Sequence, residues 1–349
     1  FLQEREQDTR FTLRQPVFAP AIPAALRAQR AQYVGSGFAR VALARRLKRD
    51  ITLAWLDIVR ADKTASILES SVKLLQENLR VNESLLRNGK ITEDQVLRAR
   101  AEQLSVDQQL GYARNLRVQA SSYLNFLLNR PLDTAIETID INGETTRATP
   151  DLAMLRSAAL AARPELELAS KTIDAAQAQV AVARSALWPT VSLGVDAGIQ
   201  GPNYQTGAGR NFNTVSLLLN WQLIDGGGRN AELRGARAGA HQAQIRYDEL
   251  TLQVQLEVQQ ALDRLNTTAS AVTTAMARAD AARAGFRIAS RKRDEGVINQ
   301  VEFMDARNTL TSGELNLNLT RFELLARQAE LDYATAAGTL PLDNGVPAP

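Results

Sequence analysis

One pattern of helix, glycine turn and return helix is written twice in this chain. Leu26-Arg27-Ala28-Gln29-Arg30-Ala31 returns as Leu233-Arg234-Gly235-Ala236-Arg237-Ala238, and Asn88-Gly89-Lys90-Ile91 returns as Glu295-Gly296-Val297-Ile298, each 207 residues further on. A repeat of this size decides the architecture before local propensity does. Farther along, Tyr123 and Pro131-Leu132-Asp133 match Tyr333 and Pro341-Leu342-Asp343 at a spacing of 210. That shift reads as three residues inserted in the last helix, close to one turn, so the buried face is roughly kept.

Each copy reads as a hairpin of very long helices. Pro23 suits a first helical position, and no proline or strong stop follows until Arg87. Helix over 23–87 spans about 97 Å at 1.5 Å per residue. Leu68, Val72, Leu75, Leu79 and Leu86 recur at spacings of three and four, with Asn82 filling the gap, which is a coiled-coil seam. Gly89 breaks the helix, and a return helix over 92–128 carries Leu110, Ala113, Ala120, Leu124 and Leu127 on one stripe. The second copy repeats this with a long helix over 229–294, a turn at Gly296 and a return helix over 297–337. Its stripe is Leu315, Leu319, Phe322, Ala326, Ala329, Tyr333 and Ala336.

Between the hairpins, residues 129–163 break the pattern. Pro131, the β-like Thr138-Ile139-Asp140-Ile141, Asn142-Gly143 and Pro150 read as a small equatorial side domain, with a short helix over 151–162. Pro164 opens the second repeat, 164–337, with a helix over 164–187; stacked on a return helix it would match one long helix in length. Two strands follow, over 189–200 and 211–224. Val191, Leu193, Val195, Ala197 and Ile199 alternate with polar or small residues, and Val215, Leu217, Leu219, Trp221 and Leu223 continue the period of two after a glycine-rich loop. Strands of about 10 to 12 residues cross a bilayer when tilted, and Trp188 and Trp221 stand where an aromatic girdle would lie. A soluble hairpin with one wet face is the competing reading.

Composition removes other classes. The chain has no Cys, so disulfides, thiolate metal sites and thiol chemistry are absent. No apolar run reaches the roughly 18 to 20 residues of a spanning helix, so any membrane crossing is made by strands. Aromatic residues are 5% of the chain and the net charge is +3, with both signs mixed along the helices, which does not describe a nucleic-acid binder. Arg40, Arg45, Arg46, Lys48 and Arg49 have no interleaved aromatics and read as a solvated face. Gly226-Gly227-Gly228 has no following Lys-Ser/Thr pair and is a turn, and His241, the one histidine, reads as a surface residue.

Several of these segments resemble the TolC-like outer-membrane efflux proteins. The matching pieces are Ala186-Leu187-Trp188-Pro189-Thr190-Val191-Ser192-Leu193 at the entry to the strands and Leu223-Ile224-Asp225-Gly226-Gly227 at their exit. Val96-Leu97-Arg98-Ala99-Arg100 and Phe303-Met304-Asp305-Ala306-Arg307 after the turns, and the closing Ala337-Gly338-Thr339-Leu340, complete the match. The resemblance implies a mainly α fold with a β-barrel contribution: a homotrimer whose long antiparallel coiled-coil helices form a periplasmic α-barrel and whose strands complete one 12-stranded outer-membrane barrel. It implies a passive exit duct of a tripartite efflux or secretion system, docked by a periplasmic adaptor and serving an inner-membrane pump indirectly, with no catalytic site and no cofactor. Residues 1–128 are then a partial first repeat, lacking a counterpart of residues 151–210, which reads as truncation by about 60 residues, and 338–349 form a tail joining the side domain. Ala19-Pro20 stands where the second copy has its glycine-rich exit; Pro16 and Pro20 are expected to bend the chain there instead.

The resemblance also points to residues. Glu302 and Asp305 share a helix face and match an acidic entrance ring, which three copies would close around a constriction; a plain solvated face is the alternative, and the first copy carries Gln95 and Arg98 at these places. Gly89, Lys90, Ile91, Gly296, Val297 and Ile298 form the two turns, expected to be exposed and to dock the adaptor, with ordinary packing as the alternative. Ile298 occupies the place of the basic gate residue common in the family, so a salt-bridge latch of that form is not expected. Val191, Leu193, Val195, Leu217 and Leu219 are expected to face lipid. A soluble or periplasmic structural coiled coil stays open as the alternative function, and exported polypeptides as the alternative substrate class.

Overall fold

A computed structural model of the chain describes residues 7–138, 151–202 and 207–340. In order, the elements are β1 (Gln7–Phe18), α1 (Ala21–Arg87), α2 (Glu93–Leu127), α3 (Leu152–Ala162), α4 (Pro164–Ser185), β2 (Thr190–Gly201), β3 (Asn211–Asn220), α5 (Gly228–Asp294) and α6 (Gln300–Ala334). Two compact units divide the described residues, one drawn from the segments up to Val41 and Pro164–Leu252, the other from Ala42–Arg163 and Gln253–Pro341. The expected strand-like Ile139-Asp140-Ile141, the Asn142-Gly143 turn, Pro150 and the tail from Pro341 on lie outside the described residues.

In the first unit, the three strands make an antiparallel sheet in the order β1-β2-β3. Its register is what the period of two requires: Leu13, Val195 and Val215 form one cross-strand row, and Leu193 with Leu217 and Val191 with Leu219 form further rows on the same face. The opposite face carries Thr12, Asp196 and Thr214 in one row and Arg14, Gly194 and Ser216 in the next. A break in register falls between Pro16 and Phe18, where proline has no N–H to give the ladder.

In the second unit, helices pair along apolar seams. Ala65, Leu68, Val72 and Leu75 of α1 bury against Val106, Leu110 and Ala113 of α2; Ala54 and Ile58 meet Leu124. Fully burying one such leucine stabilises by roughly 1.5–3 kcal/mol. The α5–α6 seam is built from smaller residues, Ala275 and Ala279 with Leu317, and α1 meets α6 through Leu56, Val59 and Phe322. Because α6 touches both α1 and α5, its buried face is wider than a single stripe: Phe303, Arg307, Leu317, Asn318, Phe322 and Leu331 are covered, whereas Leu319, expected inside, is 48% exposed.

Both long helices have 67 residues and both return helices have 35. All four end the same way. Gly89 and Gly296 take φ of +66° and +72°, and Asn129 and Ala336 take +54° and +53°, again 207 residues apart in each pair. Each end closes with the 6→1 bond of a Schellman turn, for example Lys90 N–H to Leu85 O at 2.9 Å and Ala337 N–H to Asp332 O at 2.8 Å. The three extra residues therefore follow the last helix instead of lying inside it, and the Tyr123–Tyr333 match is not a structural equivalence.

The basic run on α1 also differs from a solvated face. Arg45 Nη1 reaches the carbonyls of Ala337 and Gly338 at 3.5 and 3.4 Å, and Lys48 Nζ that of Thr339 at 3.3 Å. Cations are favourable where α6 ends, because its last carbonyls have no helical partners. Arg49 and Arg163 lie 4.4 and 5.3 Å from the centre of the Tyr333 ring, and Arg163, 5% exposed, donates to Ala334 O and to Glu257.

Candidate functional site

The acid pair stands in the first turns of α6. Asn299 caps this helix: its Oδ1 accepts the Glu302 N–H at 2.9 Å, and its Nδ2 donates to Glu302 Oε1 at 3.1 Å. Glu302 thereby serves the helix end directly, in a variant of the capping box. Its side chain is exposed, as is that of Asp305, which has no ion-pair partner among the described residues. At the equivalent places of α2, Gln95 is uncharged and Arg98 is basic, facing Asp94 at 3.9 Å, so the acid pair at these two positions is a feature of the second copy.

Behind the acids, the start of α6 is fastened to α1. Arg307 is 1% exposed, the largest fully buried side chain among the described residues. Its Nη1 donates to Ser71 Oγ at 2.7 Å and its Nη2 to Glu102 Oε1 at 2.6 Å, while Asn308 Oδ1 accepts from the same nitrogen. Burial pushes its pKa below the usual arginine value and the Glu102 carboxylate opposes that shift; the guanidinium stays charged. Arg293, likewise lowered by burial, lies over the Phe303 ring at 4.1 Å. Arginine has only donors, so Asn78 presents its carbonyl oxygen to Arg293, 2.5 and 3.0 Å from Nη1 and Nη2.

Of the turn residues, Gly89, Lys90, Gly296 and Val297 are exposed, Val297 at 67%, but Ile91 and Ile298 are half-buried. The expected fully exposed apolar tip is thus narrower than two residues per turn.

Among the strand residues, the register brings Val191, Leu193, Val195, Leu217 and Leu219 together on one face, where Val215, Leu217 and Leu219 are 72, 72 and 65% exposed. Trp188 and Trp221 lie at the helix-side ends of β2 and β3, 59 and 52% exposed, with Trp221 Nε1 donating to Leu187 O at 3.4 Å. The sheet leaves through Asp225, which accepts from Gly227 N–H at 3.1 Å, from Arg229 N–H at 2.8 Å and from Arg229 Nε at 2.7 Å. Arg229 also donates to Ala186 O at 3.2 Å, joining the exit to the entry. These bonds, backbone first, hold the Asp225 carboxyl at a pKa of about 2. In the sequence the glycines mark only a turn; an Asp four residues before an Arg at a helix start is the signal for this clasp. Nothing in the sequence marks Arg307 as buried.

Comparison with known proteins accords with this arrangement. Residues 155–337, more than half of the chain, match the family model described as outer membrane efflux protein. Protein CyaE of Bordetella pertussis is 32% identical over 170 residues, covering 47% of this chain and 35% of that protein. Multidrug resistance outer membrane protein MdtP of Escherichia coli O157:H7 is 23% identical over 275 residues, 78% of this chain and 56% of its own length. The chain thus spans between a third and little more than half of these relatives. The crystal structure of the Campylobacter jejuni CmeC outer membrane channel superposes with a TM-score of 0.85 at 16% identity, over 95% of this chain and 71% of that one, a likeness of fold. With its strand face, its doubled hairpins and the family match all in one chain, this protein belongs to the outer membrane efflux protein family.

Proposed function

We propose that this chain is the outer-membrane exit duct of a tripartite efflux or secretion system, working as a homotrimer in the bacterial outer membrane with its helices in the periplasm. The observation that carries the reading is the apolar face of the sheet: Phe11, Leu13, Leu193, Val215, Leu217 and Leu219 lie outward at 37 to 72% exposure, with Val191 and Val195 half-buried between them, while the opposite face holds Thr12, Asp196, Thr214 and Ser216. No described helix is long and apolar enough to cross a membrane. Lipid on one face and water on the other is what a transmembrane barrel asks of its strands. Transport through such a duct is passive, with the energy supplied by the inner-membrane pump.

The exposed turn residues Lys90 and Val297, with Gly89, Ile91, Gly296 and Ile298 around them, are the adaptor-docking surface in this reading. Glu302 and Asp305, repeated by three copies, form the acidic entrance ring that favours cations. Reconstitution into planar bilayers tests both. A stable conductance is expected, and Glu302→Ala with Asp305→Ala is expected to reduce its preference for cations. Protein that stays monomeric and soluble without detergent and gives no conductance would sink the duct; unchanged selectivity would remove the ring.

A further inference from the structure

The repeated segment Leu26–Ala31 and Leu233–Ala238 carries two arginines in each copy. Arg27 and Arg234 stand six residues past the first residue of α1 and of α5, and Arg30 and Arg237 stand nine past it. At 1.5 Å per residue these are two levels, about 9 and 14 Å from the sheet-side ends of the two long helices. All four side chains are exposed, and none has an ion-pair partner among the described residues. No acid lies in the first ten residues of α1, and Glu232 is the one acid in that stretch of α5.

The four share one surface. α4, joined to the middle strand, packs on the side of α1 that holds Ala24, Ala28 and Gly35; a Cβ on Gly35 would lie 3.4 Å from Leu168 and 3.5 Å from Lys171. On α5 the side toward α4 holds buried Leu233 and Arg229, which donates to Ala186 O at 3.2 Å. Helical phase puts each arginine pair about a quarter turn from the α4 side, in opposite senses on the two helices, so with α4 between them both pairs fall on the same surface of the layer. Glu232 falls on the other surface. The hand of the sheet identifies the arginine surface. Gln200 N–H bonds to Arg210 O at 3.0 Å, so the even residues of β2 bond to β3, and the odd ones, whose side chains make the apolar face, bond to β1. Seen from the apolar face with β2 running upward, L-residues bonded this way place β1 on the right, and α1 to the right of α4. A right-handed helix descending there turns Arg27 and Arg30 toward the viewer, on the side of the apolar face.

We propose that these four arginines bind the phosphate groups of anionic lipids in the periplasmic leaflet of the bilayer that the strands cross. Trp188 and Trp221, exposed at the helix-side ends of β2 and β3, mark the edge of the hydrocarbon. The headgroup layer beyond that edge is about 5–7 Å thick. Helical side chains lean toward the helix N-terminus, here toward the sheet, so Arg27 and Arg234 reach back to the headgroups. Arg30 and Arg237 stand one turn lower, within a Debye length of about 8 Å of them. Guanidinium matches phosphate oxygens with paired donors. Beside Arg27 and Arg30 an open groove between α1 and α4, lined also by Ala31, Val34 and Ala181, offers apolar surface under a cationic rim. Lys171 in the same groove is held by Asp174 at 2.9 Å, which leaves the arginines as its donors. The assignment rests on the outer-membrane duct proposed above and adds the lipid chemistry that its periplasmic rim selects.

Lipid capture tests it. The full chain, purified in an uncharged detergent, is mixed with equal amounts of phosphatidylglycerol and phosphatidylcholine and reisolated, and the lipid that follows it is measured. Phosphatidylglycerol is expected to be enriched several-fold, and the combined Arg27→Gln, Arg30→Gln, Arg234→Gln and Arg237→Gln variant is expected to bring the two lipids close to equality. Arg234→Gln alone is expected to lose part of the enrichment. Arg246→Gln removes the same charge from an exposed site about 27 Å below the start of α5 and is expected to lose none. No enrichment by the unaltered chain, as for arginines that serve an acidic protein, or equal losses in Arg234→Gln and Arg246→Gln, overturns the lipid site. Displacement of the lipid by a tenfold excess of inorganic phosphate would assign the arginines to free phosphate and overturn it too. Conductance in phosphatidylcholine bilayers separates this from the duct: a conducting chain without lipid preference removes the lipid site alone, and a chain that does not conduct removes both.

Discussion

Arg307 shows what a single residue contributes that no local pattern foretells. At its position in the first copy, Arg100 makes an exposed pair with Glu83 at 3.0 Å; Arg307 instead crosses from α6 to both helices of the other hairpin. The two arginines follow the same Ala-Arg motif, so only tertiary pairing separates an interior guanidinium from a surface one. Arg307→Ala is expected to cost about 2–4 kcal/mol by leaving a cavity and stranding Ser71. Arg307→Met is expected to cost less, because it fills the volume and Glu102, 30% exposed, keeps water. Chemical denaturation of the detergent-solubilised protein compares them, and equal losses would discount the cavity. Asp225 gives a pH-dependent case. Its folded pKa of about 2 lies below the ordinary value of 3.8, so its contribution is complete above pH 4 and is lost as pH falls towards 2. Protection of the Gly227 and Arg229 amides from exchange should fall in that window and, in Asp225→Asn, should no longer depend on pH there.

At the scale of helices, the break points were legible because glycine, asparagine and proline mark them; the depth of each seam was not. The first hairpin packs Leu68, Val72 and Leu75 against Val106, while the second places Ala275, Ala279 and Ala282 at the same repeat positions, with Gly313 opposite. Both read as apolar at spacings of three and four, and only the distances show that the second pair is closer packed: a Cβ built on Gly313 would lie 3.5 Å from Ala282 Cβ and 3.6 Å from Ala279 Cα. Those are ordinary contacts, so Gly313→Ala fits and is expected to gain up to about 1 kcal/mol from helix propensity. Gly313→Val, the residue that Val106 supplies in the first copy, has no room for its two methyls and is expected to lose about 1–3 kcal/mol by overpacking. Thermal unfolding of the two variants separates these outcomes by sign, and a stabilising valine would mean that the α5–α6 seam is looser than its distances indicate.

For the molecule as a whole, three of the nine elements among the described residues, the strands, separate a membrane duct from a soluble coiled coil. Their alternation was readable, but alternation alone fits a wet sheet as well as a membrane one; register supplies the missing part. It aligns Leu13, Val195 and Val215, and Leu193 with Leu217, into contiguous apolar rows, and it puts Arg14, Asp196 and Ser216 on the reverse. In β1, Pro16 and the register break beside it interrupt the period of two. Membrane insertion distinguishes the two faces. Leu217→Arg places a cation among the exposed apolar rows, at a cost of about 2–4 kcal/mol near the bilayer midplane, whereas Ser216→Arg, its neighbour in sequence, points into water and costs little. The fraction of each variant recovered in outer membranes measures the difference. Leu217→Arg is expected to be depleted and Ser216→Arg retained; equal recovery would mean that the apolar rows do not meet lipid, and depletion of Ser216→Arg alone would invert the sheet.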